Sequence, residues 1–270
     1  MLQHPRPDDH LFDDCELCDQ LRADQAALRS TPLTFGQVAV PRDGPVPVAP
    51  VIAALNRLPH ALRPQFWQGS GGGYSLSAVL EGGGQVDITV MKRFDGWVDP
   101  LEPALAEHPL FRRSRRTVRR YRALWLATVQ DPAAASPIEL QLSFTRVLAA
   151  LAEAGEAVAV ACDDPPLVVP ARSFRELAKD ASAAAPPVRL WVRPTIAYDA
   201  ATQRVDVLSW GLGHIGLPEV SIDAPATRRA EAIELLYQRA SELIVAPSLD
   251  GFAMRDSPVW PGTPVLQEIL

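Results

Sequence analysis

Cys162, Asp163 and Asp164 follow the apolar run that begins at Ala157, so a thiol and two carboxylates stand together at an expected strand end. Such strand ends carry functional side chains in many α/β enzymes. A thiol acts as a nucleophile only with a base beside it, and His60, His108 and His214 are the histidines within the body of the chain. Cys162, Asp163, Asp164 and His214 therefore define one candidate pocket, suited to a hydrolase or transferase. The competing expectation is a buried cysteine that packs and reacts with nothing.

Gly211-Leu212-Gly213-His214-Ile215-Gly216 matches the G-x-G-x-x-G string of dinucleotide-binding turns. That turn holds pyrophosphate because a helix starts directly after the glycines and offers free N–H groups. Here Leu217-Pro218-Glu219 leads into Val220-Ser221-Ile222, a strand-forming triplet, and helical spacing resumes only near Pro225. The glycines are expected to turn the chain between two strands, with no nucleotide cofactor. Gly69-Ser70-Gly71-Gly72-Gly73 lacks the Lys-Ser/Thr pair of a phosphate-binding loop and reads as a turn.

His4, His10, Cys15 and Cys18 supply four nitrogen and sulfur ligands, the number that structural zinc takes. Their spacing matches no familiar zinc finger, and the competing reading is an acidic N-terminal segment carrying Asp8, Asp9, Asp13, Asp14 and Asp19. A redox role for the Cys-x-x-Cys pair is disfavoured, because it does not join a strand to a helix. Zinc at this site is the one cofactor the sequence suggests.

The densest charge in the chain is a run of seven arginines in eleven positions: Arg112, Arg113, Arg115, Arg116, Arg119, Arg120 and Arg122. Guanidinium groups at this density suit bidentate contacts with carboxylate or phosphate. Val118 and Tyr121 are expected to point inward from the run. One reading is a binding surface for an acidic partner. The other is a solvated segment whose arginines pair with the protein's own carboxylates. Nucleic acid is disfavoured as the partner, because no aromatic platform accompanies the charges in sequence.

The elements that must position these groups are legible from periodicity. Leu33–Val40 has strand composition, and Pro50 opens a helix with Val51, Ile52, Leu55 and Leu58 on one face. Two strands, Tyr74–Leu80 and Gln85–Met91, flank a short glycine-rich connection and form a hairpin. After helical tendency over 99–120 comes a strand at Tyr121–Val129. Ser136-Pro137-Ile138-Glu139 then combines a capping Ser, Pro at the first helical position and Glu at the third. Gly155 is expected to end that helix in the left-handed conformation. The strand Ala157–Cys162 follows, so strand–helix–strand predicts a crossover within one sheet. Further on come a helix at Ser173–Ala181 and a hairpin of 188–198 with 203–210. Pro194 marks an edge or bulge there. A strand at Glu219–Ile222 precedes the last helix, which carries Ile233, Leu236, Tyr237, Ala240, Leu243 and Ile244 on one stripe.

Composition bounds the class. The 270 residues are 47% hydrophobic and 21% charged, enough apolar surface for a folded core. A net charge of −6 argues against a protein whose whole surface binds nucleic acid. Three cysteines give no disulfide framework. The N-terminus lacks the basic and apolar stretches of a secretory signal, and no segment reaches the ~18–20 apolar residues of a membrane span. A cytoplasmic location is expected.

Residues 120–256 resemble the DUF4261 family of bacterial proteins. The likeness is carried by strand, helix and strand at Leu124–Val129, Pro137–Ala154 and Ala157–Cys162, then by Val188-Arg189-Leu190-Trp191-Val192-Arg193. It is carried most specifically by Trp210-Gly211-Leu212-Gly213-His214-Ile215-Gly216-Leu217-Pro218-Glu219 and the long helix ending at Val245. The resemblance implies a fold and a bacterial origin, and it brings no catalytic residue to any position. Family members are similar in size and style to immunity-type and other interaction proteins.

The expected architecture is α+β: a mixed, largely antiparallel sheet with helices mainly on one face, in two similar lobes. Segments 1–31, 32–116, 117–256 and 257–270 would be an acidic N-terminal segment, an N-terminal lobe, a DUF4261-like lobe and a surface tail. The expected function is interaction with another macromolecule, as an immunity-type or accessory factor binding an acidic partner. The enzyme built on Cys162 is the alternative.

Overall fold

The computed structural model describes residues 33–69, 72–94, 101, 118–131, 134–163 and 166–246. Within them lie two antiparallel-rich sheets. The larger contains β1 (Leu33–Val40), β2 (Pro64–Gly69), β3 (Ser75–Leu80), β4 (Gln85–Lys92), β5 (Ala123–Gln130), β6 (Ala159–Asp163) and β7 (Pro166–Pro170). Its order is β2-β3-β4-β5-β1-β6-β7. The smaller contains β8 (Arg193–Asp199), β9 (Arg204–Trp210) and β10 (Ser221–Pro225), in the order β10-β9-β8. The helices are α1 (Val48–Leu55), α2 (Pro137–Ala154), α3 (Ala171–Ala178), the single turn α4 (Val188–Trp191) and α5 (Arg229–Val245). The fold is α+β.

β1 is antiparallel to both β5 and β6, so those two strands run parallel with β1 between them. The connection through α2 is thus a crossover over one strand within one sheet, as the strand–helix–strand pattern predicts. The division near residue 117 does not separate two sheets. β4 pairs with β5 along its whole length, from Gln85 opposite Gln130 to Lys92 opposite Ala123, and β1 sits deep inside the later strands. Among the described residues, strands from both halves share one sheet, through a ladder formed between residues far apart in sequence.

One face of the large sheet holds most of the core. Val38, Val40, Leu76, Ile88, Trp125, Ala127, Val129 and Val160 pack with Phe144, Val147, Leu148 and Leu151 of α2. The same apolar cluster continues through Val205 and Val207 of β9 to Leu236, Tyr237, Ala240 and Leu243 of α5. The opposite face carries a smaller cluster, in which Ala39, Leu124, Ala161 and Val168 meet Leu101, Val118 and Tyr121. Val118 and Tyr121 do point inward, at 0% and 1% exposure.

The start of α2 follows its sequence signal. The Ser136 hydroxyl accepts the Glu139 N–H at 3.2 Å, and Glu139 Oε2 reaches back to accept the Ala135 N–H at 2.6 Å. Such caps stabilise a helix by about 1 kcal/mol. Its end corrects the expectation for Gly155, which has right-handed φ −85° and ψ 0°. The left-handed residue is Glu156, at φ 49°. The Ala157 N–H then closes on the Ala152 carbonyl at 2.9 Å. Gly155 is required for space: a Cβ there would lie 2.8 Å from Val40 Cγ1 and 2.9 Å from Trp125 Cη2.

Other boundaries move for local reasons. The expected strand 188–198 begins with the turn α4, set up by Pro186 and Pro187 and anchored where Trp191 Nε1 donates to Thr145 Oγ1 at 2.9 Å. Pro194 does sit on an edge strand. β2 and β7, which sequence periodicity did not mark, are short and rich in Pro and Gln or bounded by Pro. No helix among the described residues is long and apolar enough to cross a membrane.

Candidate functional site

Two places in the described structure present clustered positive charge or converging amide donors. The first is the glycine turn. Gly211 has φ 127° and Gly216 φ 76°, conformations that side chains rarely adopt. Between them Leu212–Ile215 forms a short 3-10 turn, and the chain then runs extended into β10. No helix springs from Gly216, so the glycines do turn the chain between two strands. Their amides nevertheless hold an anion. The Gly211 and Gly213 N–H groups both donate to Glu219 Oε1 at 3.0 Å. Ser209 Oγ donates to Glu219 Oε2 and accepts the Val220 N–H at 2.7 Å. The carboxylate three residues after Gly216 thus fills the place a phosphate would take.

The second place is a basic corner where β4 ends and β5 begins. Pairing of Lys92 with Ala123 brings Lys92, Arg93 and Phe94 beside Arg119, Arg120 and Arg122. The Arg93 N–H donates to the Arg122 carbonyl at 3.0 Å, and the Arg122 N–H donates to Val40 at 2.8 Å. Arg93 Nη1 donates to the Arg119 carbonyl at 3.2 Å, and its guanidinium lies 4.7 Å from the centre of the buried Tyr121 ring. Lys92 Nζ donates to the Tyr74 hydroxyl at 2.6 Å, with its charge 4.3 Å from that ring's centre. All five cations are exposed. These contacts hold the Lys92 and Arg93 side chains in place.

Six other arginines in the described structure are matched to carboxylates, while Arg63 and Arg146 donate to the carbonyls of Leu58 and Ala181. Arg42 pairs with Glu156 and Arg57 with Glu153, both at 2.8 Å. Arg204 pairs with Asp223 at 2.8 Å, Arg228 with Glu231 at 2.7 Å and Arg239 with Glu242 at 3.0 Å. Arg189 pairs with Glu234. Among the described residues, no carboxylate pairs with Lys92, Arg120 or Arg122.

The remaining candidates are dispersed. Cys162 is 9% exposed and belongs to the larger core cluster, in the middle of the β1–β6–β7 ladder. Asp163 ends β6; its side chain and Asp164 lie outside the described residues, as does His108. His214 is exposed on the glycine turn, and His60 pairs with Glu81 at 2.7 Å on the surface. His4, His10, Cys15 and Cys18, together with Arg112, Arg113, Arg115 and Arg116, also lie outside the described residues. Among the described residues, no group of three or more His, Cys, Asp or Glu is placed to hold a metal ion.

A shallow groove of about 720 Å³ runs between α4 and α5, past Val188, Leu235 and Tyr237. Arg189 covers the Tyr237 ring, 4.7 Å from its centre. The Tyr237 hydroxyl is buried with no hydrogen-bond partner. Burial pushes this phenol up to about 12, against the opposing charge of Arg189.

Sequence reasoning singled out Arg119, Arg120 and Arg122 but not Lys92 or Arg93. The missing signal is the β4–β5 register, which joins positions some thirty apart. Glu219 was visible as an acid just past the glycines, yet its role as their ligand follows only from the bend. The chain matches no family model, no curated protein and no solved structure, so its likeness to DUF4261 rests on the residues quoted above.

Proposed function

We propose that this protein works by binding an acidic macromolecular partner through the basic corner, in the manner of an immunity-type or accessory factor and without catalysis. The observation that supports this reading is that, among the described residues, no carboxylate pairs with Lys92, Arg120 or Arg122 in a protein of net charge −6. Six arginines elsewhere sit on carboxylates, so the chain has acids to spare. Clustered exposed cations attract and orient an anionic surface.

The test uses immobilised poly-glutamate as the acidic probe. The wild-type chain is expected to bind and to elute with salt, and the triple variant Lys92→Gln, Arg120→Gln, Arg122→Gln to bind at least about ten-fold more weakly. Equal retention of both proteins would count against the corner.

A further inference from the structure

The basic corner holds exposed aromatic rings as well as cations, and sequence order conceals this. Tyr74 and Phe94 both stand well before the arginine run in the chain. Two ladders bring them to it. β3 pairs with β4 as far as Ser75 opposite Thr89, and the Val90 N–H donates to the Tyr74 carbonyl at 2.9 Å, so Tyr74 lies beside the end of β4. β4 in turn pairs with β5 as far as Lys92 opposite Ala123. The Arg93 N–H then donates to the Arg122 carbonyl, which places Phe94 next along the same junction. Tyr74 is 38% and Phe94 66% exposed. Lys92 donates to the Tyr74 hydroxyl and stands close to its ring, so charge and ring meet the same ligand.

We infer that the acidic partner of the corner is a single-stranded nucleic acid, whose phosphates meet Lys92, Arg120 and Arg122 and whose bases stack on Phe94, with Tyr74 as the second ring. This rests on the acidic-partner reading and names the chemistry of that partner. Charge alone does not choose between phosphate and carboxylate, because guanidinium and ammonium groups bind both. The rings do choose. A carboxylate gains nothing at the face of an aromatic ring, which is the negative side of its quadrupole. Every base offers a flat face that stacks on such a ring, whatever the nucleotide sequence. A duplex keeps those faces inside its own stack, whereas an unpaired strand exposes them. The reason for disfavouring nucleic acid was that no ring accompanies the charges along the chain. The β3–β4–β5 register removes it. The net charge of −6 argues only against a protein that binds over its whole surface.

Fluorescence anisotropy of the full chain tests this, with labelled oligo(dT) and oligo(U) of about 12 nucleotides as the single strands. Poly-glutamate of equal charge and a duplex of the same length are the comparators. Both single strands are expected to bind more tightly than the duplex, and at least about five-fold more tightly than poly-glutamate. Three phosphate contacts give a slope of about −2 for log affinity against log salt, and the triple variant Lys92→Gln, Arg120→Gln, Arg122→Gln flattens it. Phe94→Ala, at an exposed position, is expected to lower the ratio of single-strand to poly-glutamate affinity at least about five-fold. Photo-crosslinking of wild-type protein to 4-thiouridine oligonucleotide needs no variant to fold, and should mark the peptides that hold Tyr74 or Phe94. Single strands bound no more tightly than poly-glutamate or the duplex, a ratio indifferent to Phe94→Ala, or crosslinks found only elsewhere would each overturn the inference. Binding of poly-glutamate without the single strands overturns it and leaves the acidic-partner reading standing. Loss of both overturns the two together.

Discussion

The glycine turn and the basic corner both offer positive potential, and they differ in what already occupies it. At residues 211–219 two backbone amides and a hydroxyl converge on the Glu219 carboxylate, and the site is full. Where β4 meets β5, Lys92 and Arg93 are held by aromatic rings and a carbonyl, and among the described residues no carboxylate reaches Lys92, Arg120 or Arg122. A motif for binding anions therefore says less about function than the accounting of partners around it. The turn spends its capacity on folding.

Glu219→Ala breaks the filled side of this contrast and carries the largest expected effect on stability. It strips an acceptor from the Gly211 and Gly213 amides and from Ser209, and should cost about 2–4 kcal/mol, measured by urea unfolding. Poly-glutamate binding should persist in the folded fraction. Partial recovery of stability by millimolar phosphate in this variant would sharpen the contrast, by showing that the emptied turn seeks an anion.

Gly155→Ala has the next effect. Its new methyl would press on Val40 and Trp125 and should cost about 1–3 kcal/mol in the same measurement. A neutral result would mean that the α2–β1 contact is looser than described. Neutralising the corner belongs at the opposite pole: the triple glutamine variant should stay within about 0.5 kcal/mol of wild type. If it were strongly destabilised, the cations would have structural partners and the contrast would fail.

Tyr237→Phe removes a single oxygen and probes the exception within the matched region. Its buried hydroxyl has no partner, so removing it should be neutral or stabilising by up to about 1 kcal/mol. The pH dependence gives a second readout. A phenol raised from 10.0 to about 12 by burial ionises first in the unfolded chain, so stability falls as pH rises through that window. The fall should be about 2–3 kcal/mol in wild type, beyond losses shared by both proteins, and absent from Tyr237→Phe.

Much of the fold was legible where the signal is local. The Ser136–Glu139 cap, the apolar stripe of α5 and the hairpin of β3 and β4 all follow from spacing that a single element imposes. Gly155 was legible as a helix end but not in its reason, because the crowding comes from Val40 and Trp125 on other strands. β2 was missed because a strand of Gln, Phe and Trp with both faces exposed has no alternation to read. The candidate site divides in the same way. A run of arginines is plain in sequence, whereas the junction of Arg122 with Lys92 and Arg93 depends on which strands become neighbours.

The central claim is that the corner's charge is held for an acidic partner. Fluorescence anisotropy of labelled poly-glutamate, titrated with wild type and with Lys92→Gln, Arg120→Gln, Arg122→Gln at several salt concentrations, tests it most directly. The account predicts that wild-type affinity falls at least about ten-fold between 50 and 200 mM salt, and that the variant binds weakly with a flatter dependence. Binding that ignores both salt and the three substitutions would contradict it.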